Sequence, residues 1–335
     1  MNRKKICISI LILGLVFFLY GCGKKSDNTK VTLNEVAHSI FYAPQYVAIE
    51  NGYFEDAGID LTLVTGFGAD KTLTSLISGD ADIGFMGSES SVYAYNEGAS
   101  DYVVNFAQLT QRAGNFLVAR EQMKDFSWDK LKGKKVLGGR KGGMPEMVFE
   151  YILKKNQISP DTDLTIDQGI DFGSTAAAFA GGQGDYSIEF EPGATSLEQE
   201  GAGYVVASLG VDSGYVPYTA YCARKSFLAQ NPDVVQRFTD ALQQGLDYVN
   251  QHTPEEIAKV IRPQFKETDL ETITAIVQRY AEQDTWKENL IFEKESFDLL
   301  QDILESAGEL KSRVPYEKLI NTAYAEKSSL RSSTP

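Results

Sequence analysis

From Val31 onward, short apolar runs of period two alternate with stretches in which apolar residues return every three or four positions. That alternation predicts strands and helices laid down in turn, the pattern of an α/β protein. Residues 31–36 read as a strand, 43–50 as a helix closed by Asn51-Gly52, and 59–64 as a second strand. Asp70 stands where an N-cap belongs, ahead of a helix carrying Leu73, Leu76 and Ile77 that ends at Gly79. Residues 81–86 form the next strand.

The same order returns about a hundred residues later. A strand over 135–137 leads to a helix over 145–156, a strand over 164–166, a helix over 175–180 stopped by Gly181-Gly182, and a strand over 185–190. Individual residues echo as well: Pro44 and Val47 recur as Pro145 and Val148, and Gly79 and Asp82 as Gly182 and Asp185. The shared order predicts two lobes built on one plan. Past Tyr221 the pattern turns helical. Asn231-Pro232-Asp233 opens a helix with the apolar face Val235, Phe238, Leu242, Leu246 and Val249, and helices follow over 254–261, 270–283, 297–307 and 315–323. A helical C-terminal third must pack on an existing sheet, so it is assigned to the first lobe. The Ser-rich segment 326–335 reads as a disordered tail.

The N-terminus changes the picture of where the protein works. Asn2-Arg3-Lys4-Lys5 is basic, 6–20 is apolar, and Gly21 precedes Cys22. That is the layout of a secretory signal, and the run falls short of the roughly 20 apolar residues that span a bilayer. Leu19-Tyr20-Gly21-Cys22 resembles the bacterial lipoprotein signature, although Tyr20 is bulkier than usual there. The resemblance implies that 1–21 is removed, that Cys22 becomes the lipidated first residue, and that 22–30 tethers the body to a membrane.

Removing 1–21 strips Arg3, Lys4 and Lys5 and takes the net charge from −14 to −17. So acidic a body is unsuited to nucleic acid, whose binding depends on neutralising phosphates. The remaining length favours two domains over a single core. Cys7, Cys22 and Cys222 are the only cysteines, so the body has neither a disulfide nor a cysteine metal site, and Cys222 reads as a small buried hydrophobe. No Ser or Cys nucleophile motif and no glycine-lysine phosphate loop is present. His38 and His252 are the only histidines. The chain is expected to be no enzyme and to need no cofactor or metal.

Several motifs resemble one family, the bacterial solute receptors for aliphatic sulfonates, nitrate and thiamine-precursor pyrimidines. They are Tyr42-Ala43-Pro44-Gln45-Tyr46-Val47-Ala48, Asn51-Gly52-Tyr53-Phe54, Ala57-Gly58-Ile59-Asp60-Leu61 and the run from Leu76 to Gly84, with Glu191-Pro192 and Asn231-Pro232 downstream. Eukaryotic relatives that synthesise the pyrimidine carry a cysteine cluster that this chain lacks. The resemblance implies a type II periplasmic binding protein: two α/β lobes joined by a two-strand hinge, with a helical C-terminal region and the ligand between the lobes. It implies a monomer that delivers a small molecule to the permease and ATPase subunits of an ABC importer. A ligand sensor reporting to a membrane partner would need the same closed lobe pair. The crossings are expected near 117–120 and 221–223, giving one lobe of 31–118 with 223–325 and another of 119–222.

In open α/β sheets ligands bind where strand ends run into helices. That rule selects Ser39, Phe41 and Tyr42; Gly66 and Gly68; Ser88, Glu89 and Ser90; Gln108; Arg140, Gly142 and Gly143; and Glu189 and Glu191. Tyr218, just before the second crossing, joins them. Bland roles stand beside each: turn geometry for the glycines, capping for Asp70, Ser88 and Ser90, a solvated charge for Arg140, and a structural role for His38. Carboxylates beside aromatic rings favour a nitrogen heterocycle of the thiamine-precursor kind. A sulfonate or nitrate is the alternative, should Arg140 neutralise a glutamate.

Overall fold

Each predicted strand carries the burial its pattern requires, and the strands divide between two sheets. The computed structural model describes residues 28–170 and 172–332. The expected signal segment and lipidated Cys22 lie outside the described residues. Strands cover Thr29–Glu35 (β1), Ile59–Thr65 (β2), Ile83–Gly87 (β3), Val103–Thr110 (β4), Phe116–Ala119 (β5), Lys135–Leu137 (β6), Thr165–Asp167 (β7), Tyr186–Glu189 (β8), Tyr204–Ser208 (β9) and Thr219–Arg224 (β10). Helices of the two α/β layers are Ala43–Glu50 (α1), Tyr53–Asp56 (α2), Ala69–Ser78 (α3), Glu89–Asn96 (α4), Met144–Lys155 (α5), Phe172–Ala180 (α6), Gly193–Gln199 (α7) and Leu209–Ser213 (α8). The C-terminal set is Lys225–Gln230 (α9), Pro232–Gln251 (α10), Pro254–Ile261 (α11), Leu270–Glu282 (α12), Lys294–Ser306 (α13), Tyr316–Leu319 (α14) and Ala323–Ser332 (α15).

The sheets run in the orders β2-β1-β3-β10-β4 and β7-β6-β8-β5-β9. In each, the first three strands are parallel and the fourth is antiparallel to both neighbours. The two sheets therefore share one topology. The residue echoes have a physical basis: Asp82 Oδ2 accepts from the Thr32 amide at 2.9 Å, and Asp185 Oδ2 from the Lys135 amide at 2.8 Å. Each aspartate ties the loop before the third strand of its lobe to the first. Gly79 and Gly182 both take left-handed backbone, with φ of 88° and 95°, at the corresponding helix ends.

Besides Thr29 and Lys30, assigned to the tether but paired as the start of β1 with Ile59 and Asp60 of β2, four expectations about the order of elements need correction. The stretches 117–120 and 221–223 are not crossings, because β5 is hydrogen-bonded inside the second sheet and β10 inside the first. Their continuous apolar character is that of strands buried on both faces. The chain crosses instead at 111–115 and 214–218, so the lobe boundaries move to those segments. Second, the 326–335 tail was expected to be disordered, but α15 continues to Ser332. Tyr324, Ala325 and Ser328 are buried, and the Ser328 hydroxyl bonds Asp240 Oδ1 of α10 at 2.6 Å. Third, the single helix over 315–323 divides at Ile320, which is extended and bridges to Asn105 of β4. Fourth, Asp70 is not a cap. Gly68 holds that position, and Asp70 turns to Arg140 across the cleft.

The predicted face of α10 is buried as expected, and α10 packs on α1, α2 and α15 in the first lobe. The C-terminal helices are not confined there, however. α13 packs on α5 of the second lobe, and α12 sends Arg279 to Glu191 and Glu198. No helix among the described residues is long and apolar enough to cross a membrane.

Candidate functional site

The carboxyl ends of β3 and β4, the start of β10 and both crossings meet beneath the second lobe. A 3-10 turn, Ile40–Tyr42, leads into α1 and is capped by Ser39, whose hydroxyl accepts from the Phe41 amide. The same hydroxyl donates to the Glu191 carbonyl of the second lobe at 2.9 Å. Phe41 and Tyr42 are fully buried. Phe41 touches Phe190 of the second lobe at 6.2 Å between ring centroids, Tyr218 at 5.7 Å and Tyr280 at 5.2 Å, while Tyr42 packs edge-on against Phe85 at 4.4 Å. The centre of the interlobe seam is thus an aromatic cluster.

Polar groups ring that cluster. Ser88 stands at the N-terminus of α4, but its hydroxyl donates to the Pro217 carbonyl rather than capping the helix. Ser90 is buried one residue beyond Glu89. The Thr110 and Thr219 hydroxyls share a 2.5 Å hydrogen bond, and Gln108 lies one pleat deeper on the same face. Gln108 Nε2 donates to the Thr110 carbonyl at 3.0 Å. Tyr218 donates to Asn115 Oδ1 in the first crossing. Among the described residues, Glu89 Oε2, Gln108 Oε1 and Asn115 Nδ2 are buried without a hydrogen-bond partner, as is Arg112 Nε in the first crossing. Buried polar groups are nearly always paired, so such orphans around one seam mark where an outside molecule would supply partners.

Glu89 is 2% exposed, and burial pushes its carboxyl up to about 7, against a smaller opposing pull from nearby amides and Arg140. Glu189 is likewise raised to about 7 by burial, but it is satisfied: Thr175 Oγ1 donates at 3.0 Å and Ser187 Oγ donates to its other oxygen. Glu191 accepts from the Thr195 amide and hydroxyl and from Arg279 at 2.6 Å. It fastens α12 to the second lobe.

The remaining candidates lie at the rim. Arg140 is exposed and pairs with Asp70 at 3.1 Å, joining the lobes at the mouth. Gly142 has φ 77°, its carbonyl accepts from Tyr93 across the cleft at 3.0 Å, and its amide donates to Glu146. Gly143 is the N-cap of α5. The Gly66 amide donates to the Glu35 carbonyl and the Gly68 amide to the Val36 carbonyl, so both glycines shape the turn into α3. His38 bonds Glu35 and the Gln264 carbonyl and is a structural histidine. Sequence reasoning missed Asn115, Tyr93 and Arg279. Asn115 alone carried a signal, as a polar residue in the short Gly-containing link between two apolar strands.

Two α/β lobes of matching topology, closed on an aromatic seam with unpaired polar atoms, make up the architecture of a periplasmic-type solute-binding protein. The chain belongs to the NMT1/THI5-like family, whose model matches residues 40–257. It is 45% identical over 313 residues to "Putative binding protein YtlA" of Bacillus subtilis, covering 93% of this chain and 94% of that one. Among solved structures it resembles the alkanesulfonate-binding protein SsuA of Xanthomonas axonopodis pv. citri, bound to MOPS: TM-score 0.71, 17% identity, 89% of this chain and 100% of that one. It also resembles the periplasmic nitrate-binding protein NrtA of Synechocystis PCC 6803: TM-score 0.72, 16% identity, 92% of this chain and 90% of that one. At those identities the likeness speaks for the fold.

Proposed function

We propose that the protein is the extracytoplasmic, lipid-anchored receptor of an ABC importer and that it captures a small flat nitrogen heterocycle of the thiamine-precursor kind. Family membership supports the receptor role, and the Cys22 motif supports the anchor. One observation carries the ligand class: Glu89, buried beside Tyr42 and Tyr218, keeps a carboxylate oxygen without a partner. Ring amines donate to such an oxygen and flat rings stack on aromatic walls, whereas an anion set against a buried carboxylate loses several kcal/mol.

The sulfonate and nitrate reading needs a cation to offset Glu89. Arg140 is held by Asp70 and Arg279 bridges Glu191 and Glu198, while Arg112 donates Nη1 to the Gly210 carbonyl and lies over the Tyr215 ring but keeps a buried Nε without a partner, which makes it the cation that reading would have to use. A thermal-shift screen against aminopyrimidines, flavins, alkyl sulfonates, taurine and nitrate, followed by calorimetry, tests the proposal. A heterocycle is expected to bind. Micromolar binding of a sulfonate or nitrate with no response to any heterocycle would sink the ligand reading. The anchor is tested by Cys22→Ser, which should release or strand the precursor, and by mass spectrometry of the native N-terminus.

A further inference from the structure

Glu89 opens α4 directly after β3, yet its side chain does not run outward. It folds back over Gly87, where an added Cβ would stand 2.1 Å from Oε2 and 2.5 Å from Oε1. Only glycine leaves room for that return. Its own amide and that of Met144, the first residue of α5 on the opposite lobe, favour the ionised form against the burial that raises the carboxyl to about 7, and Tyr93, one turn along α4, donates to the Gly142 carbonyl at 3.0 Å beside that helix start. α5 is 12 residues long, and Gly143 at its N-cap offers no side chain to satisfy the free amides. Such an end carries a partial positive charge and is where an anionic ligand group ordinarily sits. Here a carboxylate from the other lobe reaches it, 2% exposed and with Oε2 unpaired.

We infer that Glu89 is a built-in counter-anion for the α5 N-terminus: it takes the place of an anionic ligand group and offers its second oxygen to a ligand N–H. The inference rests on the heterocycle reading and adds a rule to it, that one residue makes the cleft select against negative charge. Two anions cannot share one partial positive charge in a dehydrated seam without strong repulsion. A ligand with amine or amidine N–H groups pairs the orphaned oxygen instead. Arg140 acts on Glu89 from across the cleft while held by Asp70, and the Tyr42, Tyr93 and Tyr218 hydroxyls feel its charge.

The test compares wild type, Glu89→Gln and Glu89→Ala by calorimetry at pH 8, with circular dichroism and melting curves to establish that each is folded. The probes are 4-aminopyrimidine and propanesulfonate. Glu89→Gln is expected to weaken aminopyrimidine binding by about tenfold or more, the loss of a hydrogen bond to a charged group. Glu89→Ala should gain propanesulfonate binding by a similar factor over wild type. If wild type binds neither probe but Glu89→Ala gains the sulfonate, the charge rule stands and the heterocycle reading has to be replaced. Full retention of aminopyrimidine affinity in Glu89→Gln overturns the inference and leaves the heterocycle reading in place. A folded Glu89→Ala that gains no anion binding overturns it too. Micromolar propanesulfonate binding by wild type overturns both.

Discussion

Each lobe places a buried carboxylate near the carboxyl end of its third parallel strand, at the last residue of β8 in one and at the first residue of α4 in the other, and the two are treated in opposite ways. In the second lobe Glu189, at the end of β8, is 3% exposed and has both oxygens hydrogen-bonded within its own lobe. In the first lobe Glu89, just after β3, is 2% exposed and has one oxygen unpaired. Burial and raised pKa do not distinguish the two. The hydrogen-bond shell does: a buried carboxylate with a complete shell belongs to the fold, and one with a gap is available to a ligand. The loops leading into α1 and α5 repeat the contrast. The first lobe fills that position with Phe41 and Tyr42, while the second leaves it to Gly142 and Gly143, so one lobe offers side chains and the other backbone.

The largest test of this contrast removes a partner on the satisfied side. Arg279→Ala leaves the buried Glu191 without its cation, and because Arg279 itself is only half-buried the loss is expected at the lower end of the range of about 3 to 5 kcal/mol that breaking a buried pair costs, which urea denaturation will read. A loss below about 1 kcal/mol would show that the Glu191 shell is dispensable. Next comes pH. Burial raises Glu89 and Glu189 to about 7 from an ordinary 4.5, so the ligand-free folded state binds protons more tightly than the unfolded one. Their contribution to stability is therefore fully present below about 4.5 and is lost as pH rises through 7, on the order of 3 kcal/mol per group. Denaturation at pH 5 and pH 7.5 should show that fall, with Glu89→Gln removing about half of the part the two glutamates supply. An unchanged difference in Glu89→Gln would remove Glu89 from the account.

A smaller effect probes the scaffold that holds the first lobe's aromatic loop. Gly245 of α10 lies so close to α1 that an added Cβ would stand 2.3 Å from the Pro44 carbonyl oxygen and 2.9 Å from Ala48 Cβ. Gly245→Ala should cost about 1 to 3 kcal/mol by overpacking and shift α1 with the Phe41 turn it carries. The smallest effect belongs to the rim. Asp70→Ala breaks an exposed ion pair and should change stability by less than about 1 kcal/mol, falling further in high salt.

Local pattern carried the strand and helix order, because period and punctuation are written into neighbouring residues. Gly79 with Gly182 and Asp82 with Asp185 revealed the repeat because each pair does the same local work. The crossings were misplaced because β5 and β10 look alike in sequence wherever they pair, and sheet membership is decided by strands up to a hundred residues away. Residues 326–332 were misread for a related reason: Ser328 is a poor core residue by type, and only Asp240 of α10 gives it a buried partner. Within the site, strand-end loops pointed to Phe41, Tyr42 and Glu89. The fastening of Glu191 by Arg279, 88 residues distant, left no trace in either segment.

The placement of β10 also bears on how the chain must be made. β4 has eight consecutive buried residues, and its one strand neighbour is β10. Until residue 224 has been synthesised, β4 has no strand to pair with, and every strand of the second lobe is made before its partner appears. The nascent first lobe therefore cannot lock early. Long-range pairing of this kind delays folding and leaves the β4 edge open until β10 arrives.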